Sequence, residues 1–242
     1  MRAVLLDIEG TTTPVAFVFE VLFPYARTHL REYLGRHAGS ADYHALLNRL
    51  RDDHVSDESA GENPPPWRSA SPEQLLTSVA EYVEWLMDRD RKSTGLKELQ
   101  GRIWEDGYNR GDLASNVFPD VAPALESWNA KGLRIAIFSS GSVRAQQLLF
   151  RHSFPGDLTR FISHYFDTTT GSKLDAESYR RIAEVMGVAP RAIVFVSDVI
   201  RELDAARDAG MQTRLAVRPG NKAVAAGHGH RVIHVFDELF NP

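Results

Sequence analysis

The chain of 242 residues contains no cysteine. Disulfide bonds, thiolate nucleophiles and cysteine metal ligands are therefore excluded, and a reducing compartment is allowed. Long apolar runs are missing as well, since no stretch approaches the roughly 18 residues of a membrane-spanning helix. The apolar start at residues 3–6 is interrupted by Asp7 and Glu9, which is unlike a secretory signal. These absences favour a cytoplasmic protein that has no membrane partner.

An excess of positive charge is also absent, because the formal net charge is -4 at pH 7. An acidic chain is poorly suited to nucleic acid as its main partner. If the protein binds an anion, the neutralising charge has to come from a metal ion or from a placed lysine or arginine. The length is sufficient for one sizeable core domain that carries a smaller insertion.

Strand-like and helix-like segments alternate in the C-terminal part of the chain. Short apolar runs predict strands at residues 3–7, 133–138, 192–196, 214–217 and 232–235. Helical spacing predicts helices at residues 120–130, 143–152, 177–186 and 201–209. Helix C-caps are expected at Gly132, Gly187 and Gly210. This alternation implies a Rossmann-like, mostly parallel α/β sheet with helices on both faces.

The segment from residue 15 to residue 113 has a different pattern of apolar residues, which favours helices and contains no convincing strand. Helices are predicted at residues 17–37, 41–54, 72–89 and 96–110. Ser71 is expected to cap the third of these, with Pro72 in its first turn. We therefore predict an α/β core of residues 1–14 and 114–242, with an all-helical cap domain of residues 15–113 inserted after the first strand.

Two carboxylates stand at the end of the first predicted strand, in the sequence Asp7-Ile8-Glu9-Gly10. Side chains alternate along a strand, so Asp7 and Glu9 start on the same face. Two neighbouring carboxylates repel each other, so their arrangement is stable only when a cation lies nearby or when they share a proton. Open α/β sheets bind ligands at the carboxyl ends of their strands, so a ligand site is expected here. An ordinary acidic turn is the alternative interpretation.

Polar residues also follow three later strand-like or turn segments. Ser139, Ser140 and Gly141 precede a helix, whose first amides can bind an anion, although a plain serine N-cap gives the same pattern. Lys173 can neutralise a phosphoryl group, or can be an ordinary surface lysine. Asp198 follows a buried strand and would complete a three-carboxylate cluster with Asp7 and Glu9. Oxygen-only ligation of this kind suits Mg²⁺.

In this order, the acid, hydroxyl, lysine and acid motifs resemble those of the haloacid dehalogenase superfamily. The residues within these motifs are similar to those of the enolase-phosphatases of methionine salvage, which form acireductone. The similar segments are Asp-x-Glu-Gly-Thr-Thr-Thr at 7–13, Ser-Ser-Gly-Ser-Val-x-Ala-Gln at 139–146, Val-Arg-Pro-Gly-Asn at 217–221, Leu-Lys-Glu-Leu-Gln-Gly at 96–101, and Trp104. The resemblance covers essentially the whole chain.

This resemblance implies a Mg²⁺-dependent hydrolase that passes through an aspartyl-phosphate. By motif position Asp7 is the nucleophile, and Glu9 is the general acid and base. The implied metal ligands are Asp7, Glu9 and Asp198, and whether Glu9 binds by side chain or backbone stays open. The implied substrate-binding residues are Thr11, Ser139, Ser140, Gly141 and Lys173. Glu202 matches the position of a supporting acid, and Asp204 is the alternative residue for that role.

The substrate of these relatives is a phosphorylated diketone, 2,3-diketo-5-methylthiopentyl 1-phosphate. It is enolised and then dephosphorylated to acireductone. Mg²⁺ can stabilise the enolate, and Glu9 is our hypothesis for the enolising base because its extra methylene extends its reach. The resemblance also implies a monomer.

Other interpretations fit parts of the pattern. A general sugar-phosphate phosphatase or mutase of the same superfamily is the principal alternative. A phosphate-accepting signalling module also uses an aspartate and Mg²⁺, but it is about half as long and has no cap. The His228-Gly229-His230 pair is expected to be a solvated loop rather than a metal site.

Overall fold

The computed structural model describes residues 1–91, 93–224 and 227–240, apart from the side chain of Ala41. The chain forms two compact units. The first, called the α/β unit, comprises Met1–Glu20 and Gly111–Pro242, and the second, called the helical unit, comprises Val21–Arg110. The sequence-based limits of residues 15 and 113 for the insertion stay a prediction about domain boundaries.

The α/β unit is built on one six-stranded sheet. Its strands are β1 (Ala3–Leu6), β2 (Arg134–Phe138), β3 (His164–Phe166), β4 (Ile193–Ser197), β5 (Gln212–Ala216) and β6 (Arg231–Ile233). They lie in the order β3-β2-β1-β4-β5-β6, and every pairing between them is parallel. Leu6 at the end of β1 is in register with Ile137 and Val196. The carboxyl ends of β1, β2 and β4 therefore meet at one edge of the sheet.

Eight α-helices accompany the strands in the described part of the chain. In the helical unit they are α1 (Phe23–His37), α2 (Ala41–Ser59), α3 (Pro72–Asp88) and α4 (Thr94–Arg110). In the α/β unit they are α5 (Val121–Ala130), α6 (Val143–Arg151), α7 (Ala176–Met186) and α8 (Ile200–Asp208). No helix among the described residues has the length and apolar character needed to cross a membrane.

The side chains of β1 divide between two apolar layers. Val4 and Leu6 pack in the layer that includes Leu125 of α5, whereas Leu5 packs in the layer that includes Ile182 of α7 and Leu203 of α8. All four residues of β1 are fully buried. A strand covered on both faces has to be apolar throughout, which explains the run Ala-Val-Leu-Leu. The predicted α/β architecture with helices on both faces is confirmed.

The helical unit has its own apolar core and well-defined helix starts. Leu30 of α1, Leu46 of α2, Val83 of α3 and Leu99 of α4 are fully buried. The hydroxyl of Ser71 accepts a hydrogen bond from the Gln74 amide at 3.2 Å, and Pro72 follows in the first turn. The predicted cap at Ser71 is therefore confirmed.

Three elements differ from the predicted ones. The edge strand β3 was not predicted, because three residues carry no readable period. Helix α2 continues to Ser59 rather than residue 54, over a polar stretch without apolar spacing. The helix predicted from residue 17 to 37 is divided, since Phe17–Leu22 is a π-helix and α1 begins at Phe23. Pro24 explains the division, because proline is tolerated only in the first turn of an α-helix.

Candidate active site

The backbone after β1 forms a tight loop at the carboxyl edge of the sheet. The amide of Asp7 still donates to Val196 O of β4 at 3.0 Å, so this residue continues the strand by one position. The amides of Thr11, Thr12 and Thr13 then all donate to Ile8 O at 2.9–3.1 Å. These contacts turn the chain back on itself and leave the Asp7 side chain buried at the centre of the edge.

Gly10 is required within this loop for two reasons. Its φ is +70°, a conformation that residues with a Cβ rarely adopt. A Cβ built at this position would also lie 2.3 Å from Asp198 Oδ2. The loop backbone therefore approaches the Asp198 carboxylate more closely than any residue other than glycine allows.

Lys173 is buried against two carboxylates. Its Nζ lies 2.6 Å from Asp7 Oδ1 and 2.7 Å from Glu202 Oε2, and the lysine is only 7% exposed. The hydroxyl of Tyr179 donates to the Lys173 carbonyl at 2.8 Å and so fixes the turn before α7. The interpretation of Lys173 as a surface lysine is therefore wrong, and the interpretation as a placed positive charge is the one that fits.

Ser197 connects the acids at the end of β4. Its hydroxyl lies 3.0 Å from Glu202 Oε2 and 3.4 Å from Asp7 Oδ2, and it accepts the Val199 amide at 3.1 Å. No role for Ser197 was predicted from the sequence. Its position directly before Asp198 at a strand end was the available signal.

Burial and mutual repulsion control the protonation of these acids. Burial, reinforced by the charge of Asp7, raises the pKa of Asp198 to about 6. Burial and then Asp7 also raise the pKa of Glu202 to about 7, against the opposing effect of Lys173. Burial by itself would lower the pKa of Lys173, but the carboxylates of Asp7 and Glu202 outweigh it and the net shift is upward. The lysine is therefore a permanent cation, whereas the raised pKa values of Asp198 and Glu202 make these two acids harder to ionise.

A polar turn follows β2 at the same edge. Ser139 is buried and its hydroxyl accepts the Gly141 amide at 3.2 Å. Ser142, and not Ser139 or Ser140, caps α6, since its hydroxyl accepts the Ala145 amide at 3.3 Å. The interpretation of Ser139 or Ser140 as a plain N-cap is therefore wrong.

Gln146 supports this turn from inside α6. Its amide nitrogen donates to Gly141 O and to Phe166 O, both at 2.8 Å, and thereby ties the turn to the end of β3. Gln146 is 1% exposed. Gln146 is the last residue of the motif at 139–146, and no role for it was predicted from the sequence.

Asp204 and the histidine pair lie outside this group. Asp204 Oδ1 pairs with Arg207 at 2.5 Å and with His230 Nε2 at 3.1 Å, so Glu202 rather than Asp204 contacts Lys173. His230 is buried, and its Nδ1 lies 2.8 Å from the Thr213 hydroxyl. The prediction of a solvated loop is therefore wrong for His230, which is a structural residue.

Thr11 and Glu9 complete the predicted set. Thr11 is fully buried, and within the described residues its hydroxyl has no hydrogen-bond partner. Glu9 is half-buried and forms an isolated parallel bridge with Thr13. Across the described chain, no three Asp, Glu or His side chains are grouped to hold a metal ion. Besides burial, the charges of Asp7 and Glu9 nevertheless both raise the pKa of Asp198, and the role of these three acids as a shared metal site stays a prediction.

The oxygen atoms at this edge nevertheless match the preferences of a hard divalent cation. Asp7 and Asp198 are close enough to raise the pKa of Asp198, and no cysteine is available to favour a softer metal. The missing Cβ of Gly10 keeps space beside Asp198 Oδ2. Carboxylate, carbonyl and water oxygens are the ligands that Mg²⁺ takes in proteins. The residues present therefore fit Mg²⁺.

Comparisons with known proteins agree with this arrangement. The family model described as haloacid dehalogenase-like hydrolase matches residues 1–210. An enolase-phosphatase E1 of Synechococcus elongatus is 52% identical over 239 residues, which cover 99% of this chain and 98% of that protein. An enolase-phosphatase E1 of Drosophila mojavensis is 45% identical, covering 94% of this chain and 89% of its own.

A solved structure agrees as well. The crystal structure of the UTR4 protein of Saccharomyces cerevisiae superposes with a TM-score of 0.79 at 32% identity, and the match covers 98% of both chains. Family model, sequence relatives and structure each extend over most or all of the chain. The chain therefore belongs to the haloacid dehalogenase-like hydrolases and, within them, to the enolase-phosphatase E1 family.

Proposed function

We propose that this protein is a Mg²⁺-dependent enolase-phosphatase of methionine salvage. It converts 2,3-diketo-5-methylthiopentyl 1-phosphate to 1,2-dihydroxy-3-keto-5-methylthiopentene, the acireductone, and phosphate. The observation that carries the proposal is the buried contact of Lys173 with both Asp7 and Glu202, beside Asp198 at the carboxyl edge of the sheet. The relatives named enolase-phosphatase E1, which match over most or all of their length, support this pair of activities.

Asp7 is the nucleophile in this proposal. One of its carboxylate oxygens attacks phosphorus, the bond between phosphorus and the ester oxygen breaks, and Glu9 gives its proton to the leaving oxygen. Water then attacks the phosphorus of the acyl phosphate while Glu9 takes a proton from it. Phosphate leaves and Asp7 is regenerated. Dividing the displacement in this way replaces one difficult step by two easier ones.

Lys173 holds the nucleophile in place and neutralises charge. Its ammonium contacts Asp7 Oδ1 at 2.6 Å and so fixes the orientation of the carboxylate. Glu202 contacts the same ammonium and, with Ser197, fixes its direction. A phosphate monoester brings more negative charge to an edge where acids already outnumber the lysine, so a further cation is needed.

Mg²⁺ is the cation that we propose, held by Asp7 and Asp198, with Glu9 contributing through its side chain or its backbone carbonyl. Members of this family are generally Mg²⁺-dependent. When bound, the ion supplies electrostatic stabilisation to the phosphoryl group and to an enolate. Ser139, Ser140 and the Gly141 amide receive the phosphoryl oxygens together with Lys173, and Thr11 offers a further hydroxyl.

Glu9 is proposed as the base of the enolisation. It removes a proton from the carbon between the carbonyl and the phosphate ester. The electron pair of the broken C–H bond forms the new carbon–carbon double bond, and the π pair of the carbonyl moves onto its oxygen. Shortening the side chain in Glu9→Asp is expected to slow enolisation more than it slows hydrolysis of a simple ester. Equal retention of both activities would contradict the role of the longer side chain.

A two-signal assay tests the proposal as a whole. The diketone phosphate is supplied with and without Mg²⁺, and enol absorbance and phosphate release are followed separately. We expect the enol signal to precede phosphate release and both signals to depend on Mg²⁺. Phosphate release from simple sugar phosphates at an equal rate, without an enol signal, would favour the general phosphatase instead. The monomeric state implied by the resemblance and the cytoplasmic location favoured by the composition stay predictions.

A further inference from the structure

The segment after β5 reaches back to the loop that carries Asp7 and Glu9. This segment is Val-Arg-Pro-Gly-Asn at residues 217–221, which the sequence analysis quoted without a role. Arg218 is 5% exposed, so its guanidinium lies inside the α/β unit. A buried arginine is costly unless its donors are used. The contacts of this arginine therefore indicate why it is there.

The Arg218 guanidinium joins the loop to two other parts of the same unit. Its Nε donates to Thr11 O at 3.0 Å. Its Nη1 donates to Asp120 Oδ2 at 2.8 Å and to His234 O at 2.7 Å. The guanidinium carbon also lies 4.4 Å from the ring centroid of Phe236, a cation–π distance. Arg218 is consequently held on several sides while it holds the Thr11 carbonyl.

Asn221 holds the neighbouring carbonyl of the loop. Its Nδ2 donates to Gly10 O at 2.9 Å and to Ala216 O at 3.3 Å. Two facing carbonyls fix the orientation of this amide, because only the nitrogen end can donate to them. With the Phe118 amide, which donates to Thr12 O at 2.9 Å, three successive carbonyls of the loop are held from outside it.

The held carbonyls belong to the backbone that lies against Asp198. A Cβ on Gly10 would lie 2.3 Å from Asp198 Oδ2 and 3.0 Å from Asn221 Oδ1. Asn221 and Asp198 therefore approach the same side of Gly10. A shift of this backbone would change the spacing between the carboxylate of Asp198 and the residues that flank Gly10 in the loop.

We propose that Arg218 and Asn221 are positioning residues, which hold the Thr11 and Gly10 carbonyls so that Asp7 and Glu9 keep their place relative to Asp198. Neither residue is assigned to the chemistry itself. The inference rests on the proposed function for its activity readout and on backbone hydrogen exchange for its structural readout. Misplacement by about 1 Å can cost a reaction roughly 10²-fold.

Asn221→Ala is the principal test, with Lys222→Ala as the matched control. Lys222 is the next residue and is exposed. We expect Asn221→Ala to lower kcat on the phosphorylated substrate by about 10- to 100-fold with KM changed much less, while the control stays within about twofold. A wild-type kcat in the folded Asn221→Ala protein would overturn the proposal, as would a loss matched by the unfolded fraction.

Backbone hydrogen exchange provides a second measurement, which does not depend on catalytic turnover. The amides of Thr11, Thr12 and Thr13 are expected to exchange faster in Asn221→Ala and at the wild-type rate in Lys222→Ala. Unchanged exchange would overturn the inference even if activity fell. If the wild-type protein hydrolyses no phosphomonoester, the proposed function fails, and the exchange rates still decide whether the loop is held.

Two further variants cover the case in which Asn221→Ala does not fold. Asn221→Asp keeps the shape of the side chain but cannot donate to Gly10 O when ionised, so it is expected to reproduce the loss of kcat. Arg218→Lys keeps the charge but not the fork of donors, and it is expected to lower kcat and speed exchange at Thr11. Wild-type kcat and exchange in both folded variants would overturn the proposal.

Discussion

The α/β unit and the helical unit treat charged side chains in opposite ways. In the α/β unit the ion pairs that matter are buried, and the side chains of Lys173 and Asp7 are 7% and 3% exposed. In the helical unit the pair of Arg27 and Asp88 is typical, with side chains 46% and 60% exposed. Exposed pairs contribute about 0–1 kcal/mol to stability, whereas a buried pair carries a large desolvation cost. The ion pair at the proposed active site is therefore buried, whereas the pair of Arg27 and Asp88 lies on the surface.

One network in the helical unit departs from this contrast. Asp57 is buried and accepts a hydrogen bond from the Tyr82 hydroxyl at 2.8 Å, and Arg91 pairs with it. The ring of His54 packs against Tyr82. His54 Nε2 lies 2.7 Å from Pro65 O. Burial, followed by the hydrogen bond to Asp57, raises the pKa of Tyr82. This network ties the proline-rich segment before α3 to α2, which is a structural task and not a chemical one.

The largest expected effect is that of Asp7→Asn. Phosphate release should fall by more than about 10³-fold, because the nucleophile is removed. The melting temperature should change little, since one buried negative charge disappears and Lys173 keeps Glu202 as a partner. Exposed Asp208 of α8 provides the control, and Asp208→Asn should retain full activity. Turnover near the wild-type rate in Asp7→Asn would show that Asp7 is not the nucleophile.

The next effect is that of Lys173→Met, measured by denaturant unfolding and by kcat. Removing the ammonium leaves the Asp7 and Glu202 carboxylates buried together, which is expected to cost about 3–5 kcal/mol of unfolding free energy. We expect kcat to fall as well, because nucleophile and phosphoryl group lose their neutralising charge. Exposed Lys131→Met is the matched control. Similar stability losses in the two variants would end the contrast between buried and exposed charge.

A smaller effect is expected from pH and Mg²⁺ together. Because the pKa values of Asp198 and Glu202 are raised to about 6 and about 7, the folded chain binds more protons than the unfolded chain between about pH 4 and pH 7. The stability of the metal-free protein should therefore fall as the pH rises through this window.

Added Mg²⁺ should reverse that loss. Below about pH 6 a proton competes for Asp198, so Mg²⁺ should raise the melting temperature clearly at pH 7.5 and much less at pH 5. Thermal scans across pH, with and without the ion, measure this. In Asp198→Asn the stabilisation should disappear at every pH. An equal shift at both pH values in the wild-type protein would argue against Asp198 as a ligand.

The smallest effect is expected at the surface of the helical unit. Arg27→Ala removes the exposed pair with Asp88, and the unfolding free energy should change by less than about 1 kcal/mol. Added salt should reduce even that difference, because exposed charges are screened. A loss as large as that of Lys173→Met would show that exposure is a poor guide to the value of an ion pair in this protein.

The sequence predicts the architecture well where local patterns are long enough. Helices α5 to α8 and the central strands follow from apolar spacing, and Gly187 in the left-handed conformation ends α7 as expected. The three-residue strand β3 and the π-helix before α1 were not predicted. A three-residue strand has no measurable period, and a π-helix differs from an α-helix only in its hydrogen bonding.

The site was predicted as far as the order of motifs allowed. The sequence places three charged residues after strand-like or turn segments, in the order Asp7, Lys173 and Asp198. This order predicted that the three side chains lie in one site. The roles of Ser197, Gln146 and Arg218 depend on contacts between residues far apart in sequence. Arg218 and Thr11, for example, are 207 positions apart. Such contacts leave no local pattern, because each partner is chosen by the packed fold and not by its neighbours in the chain.

The phosphorylation state of Asp7 during turnover shows whether Asp7 is the nucleophile. The protein is mixed with the diketone phosphate and Mg²⁺, quenched rapidly in acid, and the peptide that carries Asp7 is analysed by mass spectrometry. We predict a phosphoryl group on Asp7 that forms early, decays as phosphate is released, and is absent in Asp7→Asn. Phosphate release by the wild-type protein with no phosphoryl group on that peptide at any time would contradict it.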